Sequence, residues 1–452
     1  MPEGSKWTTR VVVLFSIICV FCMISVVVRT VTRDVVIRHF GIENSLTDLI
    51  VQDTAQQTHK TAYDWAELYP FLDGAEDTPE EQPTFPLQRL GAVADAFSQK
   101  VYGVEDSIEN RFEDLMVGHD AALFGVRSAE DVIGWNMAPI DGYNSIVEAE
   151  DGYFVTLCPL EDVSSNVRQT IELSEFCAAR GTDFLYIQAP SKVDDETDPM
   201  VSGVIDFSQA NADALLTGLS QADVPFLDLR ERIRQEGLPL HELFFRTDHH
   251  WLPETGLWAA GEIVAFLNGT YGYAIPTEYY DAAQYTEQVY EDWFLGSQGK
   301  KASLAKAEPD DFSLLYPKYD TSIRFEAPTY DMDVEGSFDV LYNMDRVNEK
   351  DYMSLDPYSA YQYSDQALLR ITNHLASNDL KVLWIKDSFS NVVTPFISQG
   401  IAQLDVIDLR YFTGSVQTYI EETEPDLVVA MYAPGSITPI DASAHTSHFD
   451  FR

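Results

Sequence analysis

The sequence predicts an α/β fold. It would be a mostly parallel β-sheet covered by helices on both faces, with a large insertion and an N-terminal transmembrane helix. Three observations predict it. From residue 153 onward, short and nearly continuous apolar runs alternate with stretches of helical spacing. Strands buried on both faces read as unbroken apolar runs, and parallel pairing requires helical crossovers between them. A hydrophobic content of 45% with 12% aromatic residues excludes global disorder, and the chain beyond its first apolar segment suits one large domain or two. Val11–Val28 is a run of eighteen uncharged residues between Arg10 and Arg29, long enough to cross a bilayer core.

Taken in order, residues 1–10 read as a short cytoplasmic tail and 11–28 as a single-pass anchor. Lys6 and Arg10 precede the apolar run and Arg29, Arg33 and Arg38 follow it, so the charge bias gives little orientation. A cleaved signal peptide is the competing reading, but Val26-Val27-Val28 is a poor cleavage context. Residues 29–89 read as a stem and linker, acidic and proline-containing over 73–86. The main domain takes residues 90–452. Leu90–Met116 has helical spacing, with Phe97, Val101, Val104, Ile108 and Phe112 on one face.

Asp151-Gly152 signals a turn before a short strand, Tyr153–Leu157. Val167–Ala179 is amphipathic and is closed by Gly181. Phe184–Ala189 is a buried strand, with Pro190-Ser191-Lys192 at its exit. The cycle repeats with helix Ser208–Leu216, strand Pro225–Leu229, short helix Arg230–Arg234, strand Leu243–Phe245 and helix Glu254–Phe266. Residues 271–355 lack clear periodicity and are acidic and tyrosine-rich, so they read as an insertion beside the ligand-binding edge. Its rings, among them Trp293, Phe294, Tyr316 and Tyr330, either pack the insertion or line a groove for sugars. Alternation then returns with helix Ser364–Ala376, strand Val382–Ile385, helix Val392–Gln399, strand Val406–Leu409, a helix over Val416–Ile420 and strand Leu427–Met431.

The chain carries 29 Lys and Arg against 73 Asp and Glu, a formal charge of -44. Such a field repels nucleic acid and anionic headgroups, so no nucleic-acid partner is expected. Cys19 and Cys22 lie in the apolar run. Cys158 and Cys177 form either one disulfide or two free buried thiols, and their spacing matches no zinc pattern. No cofactor is expected.

The chemistry centres on Asp248-His249-His250-Trp251 and, much later, on Asp387-Ser388. Ser388 follows a strand and opens toward a helix, where a hydroxyl stands clear of the sheet beside free backbone N–H groups. A serine hydroxyl is a weak nucleophile until a base takes its proton, and His250 is the candidate base. Asp248, two residues earlier, can orient the ring, which requires a loop, because positions i and i+2 do not share a helix face. Pro253 fits a loop that ends as a helix begins. Two alternatives stand beside this. Ser388 could simply cap a helix. Asp248, His249 and His250 could form part of a metal site, but no further ligand cluster accompanies them, and no metal is expected.

Thr247-Asp248-His249-His250-Trp251, Asp387-Ser388-Phe389-Ser390 and Asp408-Leu409-Arg410-Tyr411 together resemble the DHHW protein family over roughly residues 90–440. That family is similar to the alginate O-acetyltransferases of the SGNH-hydrolase-like group. The resemblance implies an SGNH-hydrolase-like fold with Asp248 and His250 preceding the nucleophile Ser388. It implies transfer of an acetyl group through an acyl-serine onto hydroxyls of a cell-surface or exported polysaccharide. The domain would then be extracytoplasmic, at the cell membrane. No cytosolic acetyl-CoA reaches that side, so a membrane-bound acyl-donating partner is implied. Arg246, His249, Trp251 and Arg410 are the candidate substrate-binding residues. An esterase or deacetylase using the same residues, and a non-catalytic glycan-binding envelope protein, are the alternatives. The sequence departs from the SGNH pattern at Lys386, where a glycine is usual. Gln188–Lys192 resembles the family's loop after its strand, with no catalytic role assigned.

Overall fold

The computed structural model describes residues 146–193, 206–438 and 448–451. The expected tail, anchor, stem and the helix over 90–116 lie outside these residues. Among the described residues, no helix is long and apolar enough to cross a membrane.

An eight-stranded sheet organises the domain, in the order β4-β3-β12-β10-β11-β9-β7-β8. Its first five strands are β4 (Phe226–Asp228), β3 (Asp183–Gln188), β12 (Leu427–Tyr432), β10 (Lys381–Lys386) and β11 (Gln403–Asp408), all parallel. The last three, β9 (Leu368–Asn373), β7 (Ile323–Ala327) and β8 (Met332–Gly336), run antiparallel to their neighbours. The expected parallel strands are present, and the three antiparallel strands make the sheet mixed.

Side-chain alternation sends the two faces of the sheet into two cores. Val382 and Trp384 of β10 face one core, shared with Leu229 and Ile233 of α3 (Leu229–Glu236) and Leu257, Ile263 and Val264 of α4 (Pro253–Tyr271). Leu383 and Ile385 face the other, with Leu173 of α1 (Ser164–Ala178), Leu215 of α2 (Ser208–Gln221) and Ile420 of α7 (Val416–Thr423). This is the two-faced helical cover that continuous apolar strands demand. Gly237 (φ +67) and Gly272 (φ +74) close α3 and α4 in the left-handed conformation that glycine adopts without strain.

Three elements differ from the sequence reading. No helix occupies Ser364–Ala376. Gln362, Tyr363 and Ser364 all have positive φ (53°, 59° and 71°), which breaks any helix there. The chain then enters β9, where Leu369, Ile371 and Asn373 alternate inward. Leu243–Phe245 is not a strand; it makes one isolated bridge, Phe244 to Trp251, across a tight loop. Val392–Gln399 is not one helix, but a 3-10 turn, Ser388–Val392, followed by the single-turn α6 (Thr394–Ile397). Pro395 in that turn has no N–H to continue an earlier helix.

The region 271–355 is more than an appendage. It forms the antiparallel pair β5 (Tyr285–Phe294) and β6 (Asp310–Pro317), joined through α5 (Ser297–Ala302), and then supplies β7 and β8 to the main sheet. A small separate pair, β1 (Ile146–Glu148) and β2 (Phe154–Thr156), precedes α1. Cys158 and Cys177 are free, and burial pushes both thiols up to about 12.

Candidate active site

β10 ends at Lys386, and the chain leaves the sheet through Asp387 and Ser388. Asp387 is the residue that caps the 3-10 turn: one carboxylate oxygen accepts the Phe389 N–H at 3.0 Å. The other accepts from the Ala433 N–H and the Ser436 hydroxyl, both at 2.7 Å, in the loop after β12. Asp387 thus pins the exit of β10 to that of β12, and Ser388 is left partly open with its hydroxyl uninvolved in capping.

A loop between Leu243 and Leu252 faces this elbow. Phe245 N–H donates to His250 O at 3.2 Å and Leu252 N–H to Leu243 O at 2.9 Å, which closes the loop at its base. The Asp310 carboxylate, 63 residues further on, accepts from the N–H and hydroxyl of Thr247 at 2.8 and 2.6 Å and from the Arg246 N–H at 3.0 Å. Gly256 lets α4 lie against the elbow, since a Cβ there would sit 2.1 Å from Val392 O.

The two segments meet at one point. His250 Nε2 lies 2.6 Å from Ser388 Oγ, across 138 residues of sequence. His250 Nδ1 lies 2.5 Å from Asp248 Oδ1. The carboxylate can only accept, so the ring proton sits on Nδ1 and the Nε2 lone pair faces the serine hydroxyl. Asp248 Oδ2 accepts the Ser297 N–H at 2.7 Å. Burial alone would raise the Asp248 carboxyl. The imidazoles of His249 and His250, with the bonds from His250 and Ser297, outweigh it and hold Asp248 well below the usual carboxylate range. An aspartate kept ionised beside the imidazole can stabilise an imidazolium, should the ring take a proton from Ser388.

Tyr358 completes the surroundings. Its ring stacks on His250 at 4.0 Å between centroids and 14° between planes, and its hydroxyl donates to Ser388 O at 3.2 Å. Phe389 packs 5.3 Å from the same imidazole. Tyr358, Ser297 and Asp310 were not found from the sequence. Each acts through a partner distant in the chain, and none sits in a recognisable local pattern.

The remaining expected residues lie as follows. His249 is exposed, with Nδ1 3.2 Å from Ser297 Oγ. Trp251 is fully buried, and its indole N–H donates to Phe389 O at 2.9 Å, which ties the loop to the elbow. Arg246 pairs with Asp310 at 3.2 Å. The Arg410 fork is held by Asp408 at 2.5 Å and Asp365 at 2.8 Å. Lys386, in place of the usual glycine, turns its fully buried ammonium to Asp365 at 2.5 Å and Asn391 Oδ1 at 2.6 Å. Asp248, His249 and His250 also bring one possible metal ligand each within 4.8 Å of one another. Both Asp248 oxygens and both His250 ring nitrogens are already hydrogen-bonded, an arrangement suited to a base that takes a proton at Nε2 while the carboxylate stays ionised.

Residues 161–308 match the family described as the SGNH hydrolase-like domain of acetyltransferase AlgX. Among solved structures, Bacillus cereus PatB1 with a sulfonyl adduct matches at TM-score 0.54 and 21% identity, over 68% of this chain and 98% of that one. A DHHW family protein from Eubacterium siraeum matches at TM-score 0.49 and 17% identity, over 66% of this chain and 93% of that one. No curated protein matches the sequence. The resemblance to the SGNH-like acetyltransferases is borne out, and the fold is SGNH-like.

Proposed function

We propose that this chain is an extracytoplasmic O-acetyltransferase that moves an acetyl group through acyl-Ser388 onto hydroxyls of a cell-surface or exported polysaccharide. Residues 1–10 would be a short cytoplasmic tail, 11–28 a single-pass membrane anchor, 29–89 a stem, and 90–452 the catalytic domain. The observation that carries the reading is the continuous hydrogen-bonded line Ser388–His250–Asp248. The match to an acetyltransferase family supports acetyl as the group transferred.

The steps follow from the geometry. His250 Nε2 takes the Ser388 proton as Oγ attacks the acetyl carbonyl, giving a tetrahedral oxyanion. Collapse breaks the bond to the donor's leaving group, which departs with the proton from His250. A sugar hydroxyl then gives its proton to His250 and attacks the acyl-serine. Ser388 leaves and recovers the proton, and the acetyl ester stays on the sugar. Asp248 remains ionised throughout and stabilises each imidazolium. Outside the cytosol the acetyl must be handed over by a membrane-bound acyl-donating partner.

The test incubates the full chain with p-nitrophenyl acetate and candidate polysaccharides and measures acetylated glycan and free acetate. Wild type should acetylate glycan, and S388A and H250A should not. Free acetate with no acetylated glycan would make the chain an esterase. Wild-type activity in S388A or in H250A would refute the assignment altogether.

A further inference from the structure

Lys192 follows β3 in the loop Ala189-Pro190-Ser191-Lys192, and the acyl mechanism gives it no task. It is almost fully buried, at 4% exposure. Its ammonium meets four acceptors: Phe154 O at 2.6 Å, Phe245 O at 2.8 Å, Gln298 Oε1 at 2.9 Å and Arg246 O at 3.3 Å. Three N–H donors serve four acceptors, so one is shared.

The ownership of those acceptors matters more than their number. Phe245 and Arg246 immediately precede Thr247-Asp248. Gln298 lies in the first turn of α5, next to Ser297, whose N–H holds Asp248 Oδ2 at 2.7 Å. The loop and α5 are joined again where Gly299 N–H donates to Thr247 O at 2.7 Å and Gly296 N–H to Thr247 Oγ1 at 2.9 Å. Phe154 belongs to β2, and its own N–H donates to Arg246 O at 2.8 Å. Three separate pieces of chain that together fix Asp248 therefore converge on one amine.

We propose that Lys192 is a positioning residue for the Asp248–His250 pair, clamping the loop that carries them to α5, whose Ser297 N–H aligns the Asp248 carboxylate. Burial draws the Lys192 pKa down to about 7 against the pull of Asp248 and Asp310, so an ammonium here is costly to keep unless its acceptors repay the desolvation. A lysine that merely supported the β1–β2 pair would need only Phe154 O.

The inference concerns the same site as the acyl-transfer reading, and its rate measurements rest on that reading. The test uses the full chain, with p-nitrophenyl acetate and phenylmethylsulfonyl fluoride as probes. In K192M, kcat and the rate of Ser388 sulfonylation fall by about 10- to 100-fold while KM moves by less than about twofold, because misplacing the base costs rate rather than binding. The low-field proton NMR line of the His250 Nδ1–H bonded to Asp248 shifts upfield. Q298L removes one acceptor and keeps the ammonium, so it shows the same changes to a smaller degree and carries the test where K192M does not fold. A wild-type sulfonylation rate and an unmoved low-field line in Q298L, or in a folded K192M, overturn the proposal. If wild-type Ser388 takes no label, the acyl reading fails, and the positioning role stands or falls on the NMR line alone.

Discussion

The site at the scale of single residues is an imidazole held from three directions. Asp248 fixes its Nδ1 edge, Ser388 meets its Nε2 edge, and Tyr358 covers one face. Tyr358 has two separable roles. Its hydroxyl donates to Ser388 O, and its ring stacks on the imidazole that would become cationic in the proposed turnover. Tyr358→Phe keeps the stack and removes a single neutral hydrogen bond, so kcat in an acetyl-ester assay should fall by no more than about tenfold. Tyr358→Leu also removes the stack and should fall further. Equal rates in the two variants would show that the stack contributes nothing. Asp248, His250 and Ser388 were legible in the sequence because each sits in a short pattern that resembles a family. Tyr358 was not, because nothing local to Asp356-Pro357-Tyr358 marks a residue that will lie under a histidine 108 positions earlier.

At the scale of elements, the site depends on close approaches and on one charge cluster. Gly296, just ahead of α5, has no room for a side chain: a Cβ there would lie 2.3 Å from Asp248 Cβ. Gly296→Ala should therefore destabilise the chain by about 1–3 kcal/mol and lower kcat by displacing Asp248, both measurable by urea unfolding and ester turnover. Beneath the elbow, the buried Lys386 and Asp408 and the partly buried Arg410 and Asp365 form one charged network. Burial alone would raise the Asp365 carboxyl, but the charges of Lys386 and Arg410 and the bonds from Lys386 and Asn391 hold it well below the usual range. A carboxylate depressed in the folded state contributes stability above its unfolded pKa of about 3.9 and loses it as pH falls toward the folded value. The urea midpoint should thus drop between about pH 5 and about pH 3. Asp365→Asn should already have lost about 3 kcal/mol at the higher pH, by leaving the buried Lys386 short of a partner, and should fall less on acidification. The same network accounts for Lys386 where the SGNH pattern has glycine: its side chain leaves the elbow and is neutralised inside the domain.

Across the whole molecule, the apolar strands and their helical cover were readable from the sequence, since burial on both faces leaves continuous runs at β3, β10, β11 and β12. The antiparallel side of the sheet was not. β9 reads with apolar residues near helical spacing, and it is its pairing with β11 and β7 that makes it a strand. β7 and β8 alternate apolar and charged residues, but each is only five residues long and neither stands out from the acidic stretch around it. Residue identity sets these features only through tertiary contacts, which periodicity does not record. What the folded chain achieves is to bring the exit of β10 and the loop before α4 to one point, with helices on both sides holding each in place. The most direct measurement of whether that meeting point is chemical is peptide mapping by mass spectrometry after treatment with phenylmethylsulfonyl fluoride. The geometry predicts one sulfonyl group on Ser388 in the wild type, formed with loss of fluoride and the hydroxyl proton, and none at that position in His250→Ala. An unlabelled Ser388, or equal labelling without the imidazole, would contradict it.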